Sequence, residues 1–285
     1  MNTIKLFGIT LSLFVFASCG NQSTKNDETP AITETSNINQ NTKTDIEEMG
    51  LKGKVNVIKQ EEFYSSNENS EIGLKTGYNS FSYKFDNNGI KTEEQYYDSI
   101  GMIKEKSEYI YSNDKSKIGK KIFDLNNTLL HYYQYEFNEI GQIIKINIVD
   151  YENNEKFQYY STSEYDNNGN EILTSTFAPD GKKVQSAEYT FEGGKKIKLV
   201  LKDNLDSPYA ICEYQYNDKG DVIKEIFYTG NNMLFEEYSA TYTYDSQNNW
   251  IKKIYSLEKK HMNSSGNASR KLGIQTITMR TITYH

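Results

Sequence analysis

The stretch Tyr83-Lys84-Phe85-Asp86-Asn87-Asn88-Gly89 decides the fold of this 285-residue chain. Aromatics two apart lie on one face of an extended strand. Asp86 then opens a type I turn, its side chain accepting from a backbone N–H two residues on, and Gly89 takes the left-handed position that lets the next strand return. A calcium loop is the competing reading of Asp-Asn-Asn-Gly. An EF-hand, however, places its glycine sixth among alternating oxygen ligands, and here the glycine stands fourth, counting Asp86 as the first. The stretch reads as the turn of a β-hairpin.

The same step recurs at Tyr135-Glu136-Phe137-Asn138, Tyr165-Asp166-Asn167-Asn168-Gly169, Tyr214-Gln215-Tyr216-Asn217 and Tyr242-Thr243-Tyr244-Asp245. Weaker copies stand at Tyr109-Ile110-Tyr111 and Tyr189-Thr190-Phe191. The second aromatic falls at 85, 111, 137, 165, 191, 216 and 244, every 25 to 28 residues. A fixed period of this length is the signature of an array whose units share one core. Downstream of each turn, Tyr96, Ile148, Thr176, Phe227 and Tyr255 fall on a single strand face, with Lys and Glu between. A second set of turns follows, as at Asp98-Ser99-Ile100-Gly101 and Ala178-Pro179-Asp180-Gly181. With 24 Tyr and 13 Phe against 3 Pro, the composition favours strands throughout.

The expected fold is all-β: an antiparallel meander of about seven tandem hairpin repeats, forming a curled sheet or partial shell over residues 51–285. Leu51 to Ile58 and Thr276 to Tyr284 read as capping strands, Glu258 to Leu272 as a polar insertion, and Trp250, the single tryptophan, as a core plug.

Ahead of the repeats, Lys5 followed by the apolar run Leu6–Phe16 suits a signal peptide over residues 1–18, too short to span a bilayer. Phe16-Ala17-Ser18-Cys19-Gly20 resembles the lipobox of bacterial lipoproteins, in which the cysteine is acylated and the peptide cleaved before it. The resemblance implies lipidation of Cys19 and membrane attachment through that lipid. Several acyl chains, at roughly 0.8 kcal/mol per buried CH₂, hold durably. From Gly20 to Gly50 the chain lacks aromatics and is rich in Ser, Thr, Asn and charged residues, the composition of a disordered tether over 19–50. With Cys19 lipidated, Cys212 is the remaining thiol, so no internal disulfide is expected. It shares the phase of Tyr214 and Tyr216, which points it into the core.

The Tyr-x-Tyr-Asp-x-x-Gly steps, the opening Leu51-Lys52-Gly53-Lys54-Val55 and the ending Asn248-Asn249-Trp250-Ile251-Lys252-Lys253-Ile254 resemble the tyrosine–aspartate (YD/RHS-type) repeat proteins, in particular the small lipoproteins of Bacteroidota. That resemblance covers about 230 residues and implies a β architecture at the cell envelope, as an outer membrane lipoprotein facing the periplasm or the cell surface. It carries over no active site, because the shared residues are turn and core residues.

The net charge of −7 is spread evenly, which argues against nucleic acid. His131, His261 and His285 are far apart and suggest no metal site, and no phosphate loop or nucleophile elbow is present. No cofactor and no catalytic residue is expected. The chain reads as a monomeric, non-catalytic surface module, binding or structural, for protein, peptide or glycan. Tyr97, Tyr132 and Phe235, out of phase with the core, and Trp250 are its candidate binding residues. A hydrolase of envelope glycan or peptide is the alternative, using two facing carboxylates from a set that includes Glu93, Glu94, Glu236 and Glu237. A toxin immunity protein is the weaker one.

Overall fold

The computed structural model describes residues 44–65, 75–112, 117–152, 155–262 and 268–285, which form a single unit. The signal peptide, Cys19 and the tether up to residue 43 lie outside the described residues. A short helix, α1 (Asp45–Glu48), precedes sixteen strands. The first eight are β1 (Val55–Ser65), β2 (Lys75–Phe85), β3 (Lys91–Tyr97), β4 (Ile103–Tyr111), β5 (Lys117–Asp124), β6 (Leu129–Phe137), β7 (Ile143–Glu152) and β8 (Glu155–Tyr165). Then come β9 (Glu171–Phe177), β10 (Lys183–Glu192), β11 (Lys195–Lys202), β12 (Pro208–Tyr216), β13 (Val222–Thr229), β14 (Leu234–Tyr244), β15 (Trp250–Met262) and β16 (Ala268–Tyr284).

Each strand pairs antiparallel with its sequence neighbours, and β1 pairs with β16, so the sheet is a closed barrel. The expected curled sheet or partial shell of about seven hairpins is therefore corrected. The composition is all-β as read, but the two capping strands are partners, in register from Val55↔Tyr284 to Ser65↔Gln275. An open sheet would leave both strands with a row of unpaired N–H and C=O groups, and closure removes those edges. The polar insertion is also corrected: its flanks continue the β15–β16 ladder through Glu258↔Leu272 to Met262↔Ala268.

The turn chemistry is as the sequence implies. Asp86 Oδ1 accepts from the N–H groups of Asn88 and Ile90, each at 2.9 Å. The same two bonds recur from Asp98, Asp124, Asn138, Asp166, Asp203, Asn217 and Asp245. The second aromatic of each step sits where the register slips, as at Lys84/Phe85, Glu136/Phe137 and Gln215/Tyr216. A type I turn with a left-handed fourth residue and a bulge beside it matches the right-handed twist of the strands. Turns at both ends of the barrel share this geometry, so the structural unit is one strand and one turn, half the period seen in the sequence.

Alternate side chains face inward. Tyr83, Glu94, Ser107, Ile122 and His131 follow one another across the β2–β6 ladders on one face, and the positions between them face out. Contacts that skip a strand identify the concave face: Lys120 on β5 reaches Glu94 on β3 at 3.1 Å, and Tyr255 on β15 donates to Glu225 on β13. Cys212 faces this interior, buried with Ala187, Tyr189 and Leu199.

One end of the barrel is covered by the segment from Thr44 to Lys54. Thr44 and Glu47 form a capping box, Ile46 N–H donates to Gly89 O at 3.2 Å, and Ile46 and Leu51 pack on Val55, Ile58 and Phe85. Across the mouth, Lys52 exchanges two hydrogen bonds with the Asn249 side chain, each at 2.8 Å. Residues 44–50, inside the stretch read as tether, are thus part of the folded unit.

Candidate functional site: the inner wall

Glu94 lies at the centre of the interior near α1. Its position follows from strand parity, two residues before the inward Tyr96. It is 3% exposed and accepts from the hydroxyls of Tyr96 and Tyr109. Lys120 Nζ stands at 3.1 Å and Lys91 Nζ at 3.8 Å. Burial alone would raise its pKa, but these two ammonium groups and two phenols together hold it below the ordinary carboxylate value. Lys91 is itself pushed down by burial against the opposing pull of Glu94 and Asp45, and its Nζ lies 4.0 Å from the centre of the Tyr83 ring. Asp45 of α1 completes the group, accepting from Lys117 Nζ at 2.5 Å and from the Lys91 N–H at 2.7 Å. Ser107, facing Glu94 across the β3–β4 ladder, is also buried.

A second group lies on β12 to β16. Tyr255 stacks on Tyr238 at 4.8 Å and donates to Glu225. Burial lowers the Lys253 pKa and raises the Cys212 thiol to about 12. Arg280 lies on the same wall: its Nε donates to Gln60 Oε1 at 2.9 Å and its guanidinium lies 3.4 Å from the centre of the Trp250 ring. Burial brings its pKa down to about 10. The interior is thus a surface of tyrosine rings and compensated charges, suited to a polar ligand with flat apolar faces and carrying several hydrogen-bond donors.

The four aromatics singled out in the sequence do not converge. Tyr97 is on the outer wall, bonded to Ser82 at 2.9 Å and Gln95 at 3.0 Å. Tyr132, expected to be exposed, is 4% exposed, a correction: on the outer wall beside Val149, it is covered. Phe235 is 57% exposed at the rim opposite α1. Trp250 is on the inner wall, in edge contact with Tyr242 at 6.0 Å and under Arg280. The carboxylates separate too. Glu94 and Glu236 point in, Glu236 accepting from Tyr238 at 2.6 Å, whereas Glu93 and Glu237 point out, Glu237 paired with Lys224 at 2.6 Å. Neighbours in sequence on a strand occupy opposite walls, so neither adjacent pair can straddle one bond. His131 pairs with Asp150 at 3.0 Å on the inner wall.

Glu94 was named in the sequence only among the carboxylates of a hydrolase, and Lys120, Glu225 and Arg280 were not singled out. The phase of Lys120 with Ile122, of Glu225 with Phe227 and of Arg280 with Ile282 was the available signal.

No family model and no curated protein matches the chain. Among solved structures it is similar to a porin-like protein from Bacteroides uniformis, with a TM-score of 0.52 at 11% identity over 80% of this chain and 96% of that one. It also matches a porin-like protein from Bacteroides vulgatus, with a TM-score of 0.39 at 12% identity, over 81% and 98% of the two chains. A further match is the TcdB2-TccC3-TEV structure, with a TM-score of 0.26 at 13% identity, over 74% of this chain and 14% of that one. The likeness to the Bacteroides uniformis protein is one of fold, and it bears out the closed all-β barrel.

Proposed function

We propose that this chain is a lipid-anchored envelope protein whose barrel stays in water and binds glycan or peptide on its inner wall without chemistry. The observation that carries the reading is the contrast between the two walls. Outward side chains on β1, β4, β6–β7 and β13–β14 form the ion pairs Lys59–Glu61 at 3.5 Å, Lys106–Glu108 at 3.6 Å, Lys145–Glu136 at 3.1 Å and Lys224–Glu237 at 2.6 Å. A bilayer-spanning barrel presents an apolar band about 25 Å tall, and a lysine or arginine at its midplane costs about 2–4 kcal/mol. Charges distributed round this wall oppose insertion. Inside, the tyrosine rings and paired charges supply what recognises sugars and peptide backbones: flat faces to stack on and directed donors and acceptors. The Tyr-Asp repeats and the lipobox-like Phe16–Gly20 segment supply the envelope part of the reading.

Two measurements test it. The purified full chain added to planar bilayers should give no stepwise conductance. Trp250, the single tryptophan, should change its fluorescence when an envelope oligosaccharide or peptide from a defined panel binds. Conductance steps would make the barrel a transmembrane pore. Turnover of a panel member with no retained complex would make it a hydrolase.

A further inference from the structure

The turns at the two ends of the barrel differ in what they show to solvent. At the end covered by α1, five of the six described turns carry no exposed large apolar residue; Ile140 is the exception. At the other end, four of five do. Ile100 is 82% exposed and Met102 is exposed beside it, Leu125 follows on the next turn, Leu205 is 78% exposed, and Met233 is exposed ahead of Phe235. Turn tips have no packing reason to be apolar, and the turn geometry itself is set by the Asp and Asn residues. Exposed apolar residues gathered at one end mark an interaction surface.

Their positions round the rim choose the partner. Eight strand-to-strand connections fall at this end, five of them described. The Ile100 and Leu125 turns are the second and third of them, and the Leu205 and Met233 turns the sixth and seventh. The two groups therefore sit half the circumference apart. For sixteen strands the distance between them is on the order of 30 Å, from strand spacing and tilt. Beside the second group the β12–β13 ladder continues to the start of the turn, Gly230 N–H donating to Tyr209 O at 3.1 Å. Two apolar footings on opposite sides of one rim are contacted together by a plane.

We propose that this rim rests on a lipid surface, the turn tips entering the interface and the barrel axis standing off the membrane. This rests on the water-facing reading above, since a barrel that spans the bilayer has no rim to rest. The length of chain ahead of α1 permits it. The 26 residues from Cys19 to Thr44 reach up to roughly 80 Å, against a barrel wall of about 30 Å, so an anchor at Cys19 can bring the rim opposite α1 to the same membrane. Charge selects the lipid. The five described turns hold Asp98, Asp124, Asp180, Asp203 and Asp206 against Lys182 alone, so the surface is zwitterionic rather than anionic.

The test places an environment-sensitive dye on the full chain at Leu205→Cys, with Met233→Cys as a second position and Ser246→Cys at the α1 end as control. Both test sites are exposed turn tips, the native Cys212 thiol is buried and does not compete, and chain acylated at Cys19 is used so that this thiol takes no dye. Vesicles of phosphatidylcholine and phosphatidylethanolamine are added. The expected result is a blue shift and at least a fivefold fall in iodide quenching at 205 and 233, unchanged by salt, with no change at 246. Ile100→Asn with Leu125→Asn should weaken vesicle binding about tenfold. Equal quenching at 205 and 246 overturns the proposal. So does a blue shift without vesicles that grows with protein concentration, which means end-to-end pairing of copies, or one that requires envelope protein extract. Bilayer conductance would instead defeat the water-facing reading, and mass spectrometry of Cys19 reports on the anchor separately.

Discussion

The hydroxyl of Tyr242 donates to the main-chain carbonyl of Val222 at 2.7 Å, across a sequence separation of 20. Val222 is the residue that faces the bulge at Tyr216, where the ladder has slipped. The same bond runs from Tyr111 to Lys91, Tyr165 to Ile143 and Tyr216 to Lys196. In each case a tyrosine satisfies a carbonyl beside the preceding bulge, so the repeat explains its own residue: the ring packs inward and the hydroxyl seals the turn before it. Tyr242→Phe keeps the ring and strands that carbonyl. The expected cost is about 1 kcal/mol, read as a lower urea midpoint with an unchanged slope. Phe85, which stands where Tyr111, Tyr165 and Tyr216 stand in their repeats, is buried against Ile46, Leu51, Val55 and Ile58, so Phe85→Tyr would bury a hydroxyl among apolar side chains at a cost of about 1–3 kcal/mol.

Much of this arrangement was legible in the sequence, and the rest failed for identifiable reasons. Aspartate at the turn start and glycine at the fourth position are local signals, so Asp86 and Gly89 were read correctly from four residues. Strand parity fixed the inward set from Tyr96 to Tyr255. Closure was not legible, because the bond between β1 and β16 joins Val55 to Tyr284, and nothing local distinguishes a strand that caps a sheet from one that completes it. The α1 segment was passed over within a polar stretch, although Thr44-Asp45-Ile46-Glu47 carries the capping-box spacing. Its burial depends on a pocket formed by Ile58 and Phe85, which composition does not reveal. The exposed-aromatic reading of Tyr132 failed because phase gives the wall a side chain faces and not what else lies against that wall.

Glu94 neutralises two buried lysines, and its removal should be felt through them. Glu94→Gln retains an acceptor for Tyr109 but leaves Lys120 without its carboxylate and Lys91 with Asp45 alone, an expected loss of about 3 kcal/mol. Adding Lys120→Met should recover part of it, giving a positive coupling in a double-mutant cycle. The acid limb follows the same group. Its folded pKa lies below the reference value of 4.5, so its contribution is present above that pH and disappears as pH falls through the folded value. Wild type should therefore lose stability on acidification more steeply than Glu94→Gln. Parallel slopes would remove Glu94 from the account.

The alkaline limb belongs to the tyrosines. Burial, reinforced by nearby Glu94 or Glu225, raises the pKa of Tyr83, Tyr96, Tyr109 and Tyr255 above the reference value of 10, and burial brings Tyr165 to about 12. A raised phenol pKa means the fold prefers the neutral form. The stabilisation is whole below pH 10 and is lost as pH climbs toward the folded values. Lys91 and Lys253, lowered by burial, act the other way, gaining as pH rises toward 10.5, but the raised phenols outnumber them. Above pH 10, tyrosinate absorbance should rise in one cooperative step that coincides with loss of the β-sheet circular dichroism signal. A gradual rise with the sheet intact would mean that the inner-wall phenols are open to bulk water.

Gly230 and Gly220 separate two reasons for glycine in these turns. A methyl group at Gly230 would lie 1.8 Å from the Pro208 carbonyl oxygen, a contact with main chain that neither side can relieve by rotating a bond. At Gly220 the space is open and the constraint is a φ of +89°. Gly220→Ala should cost about 1–2 kcal/mol from the left-handed backbone alone, and Gly220→Asn less, because Asn127, Asn232 and Asn248 hold the same region elsewhere in the barrel. Gly230→Ala should cost about 3 kcal/mol or more and Gly230→Asn no less, since the obstacle there is volume. Thermal unfolding of the four variants tests the distinction: asparagine rescue at 220 and none at 230 is the expected pattern. Rescue at 230 would show that the Pro208 main chain yields to a side chain and would remove volume as the reason for that glycine.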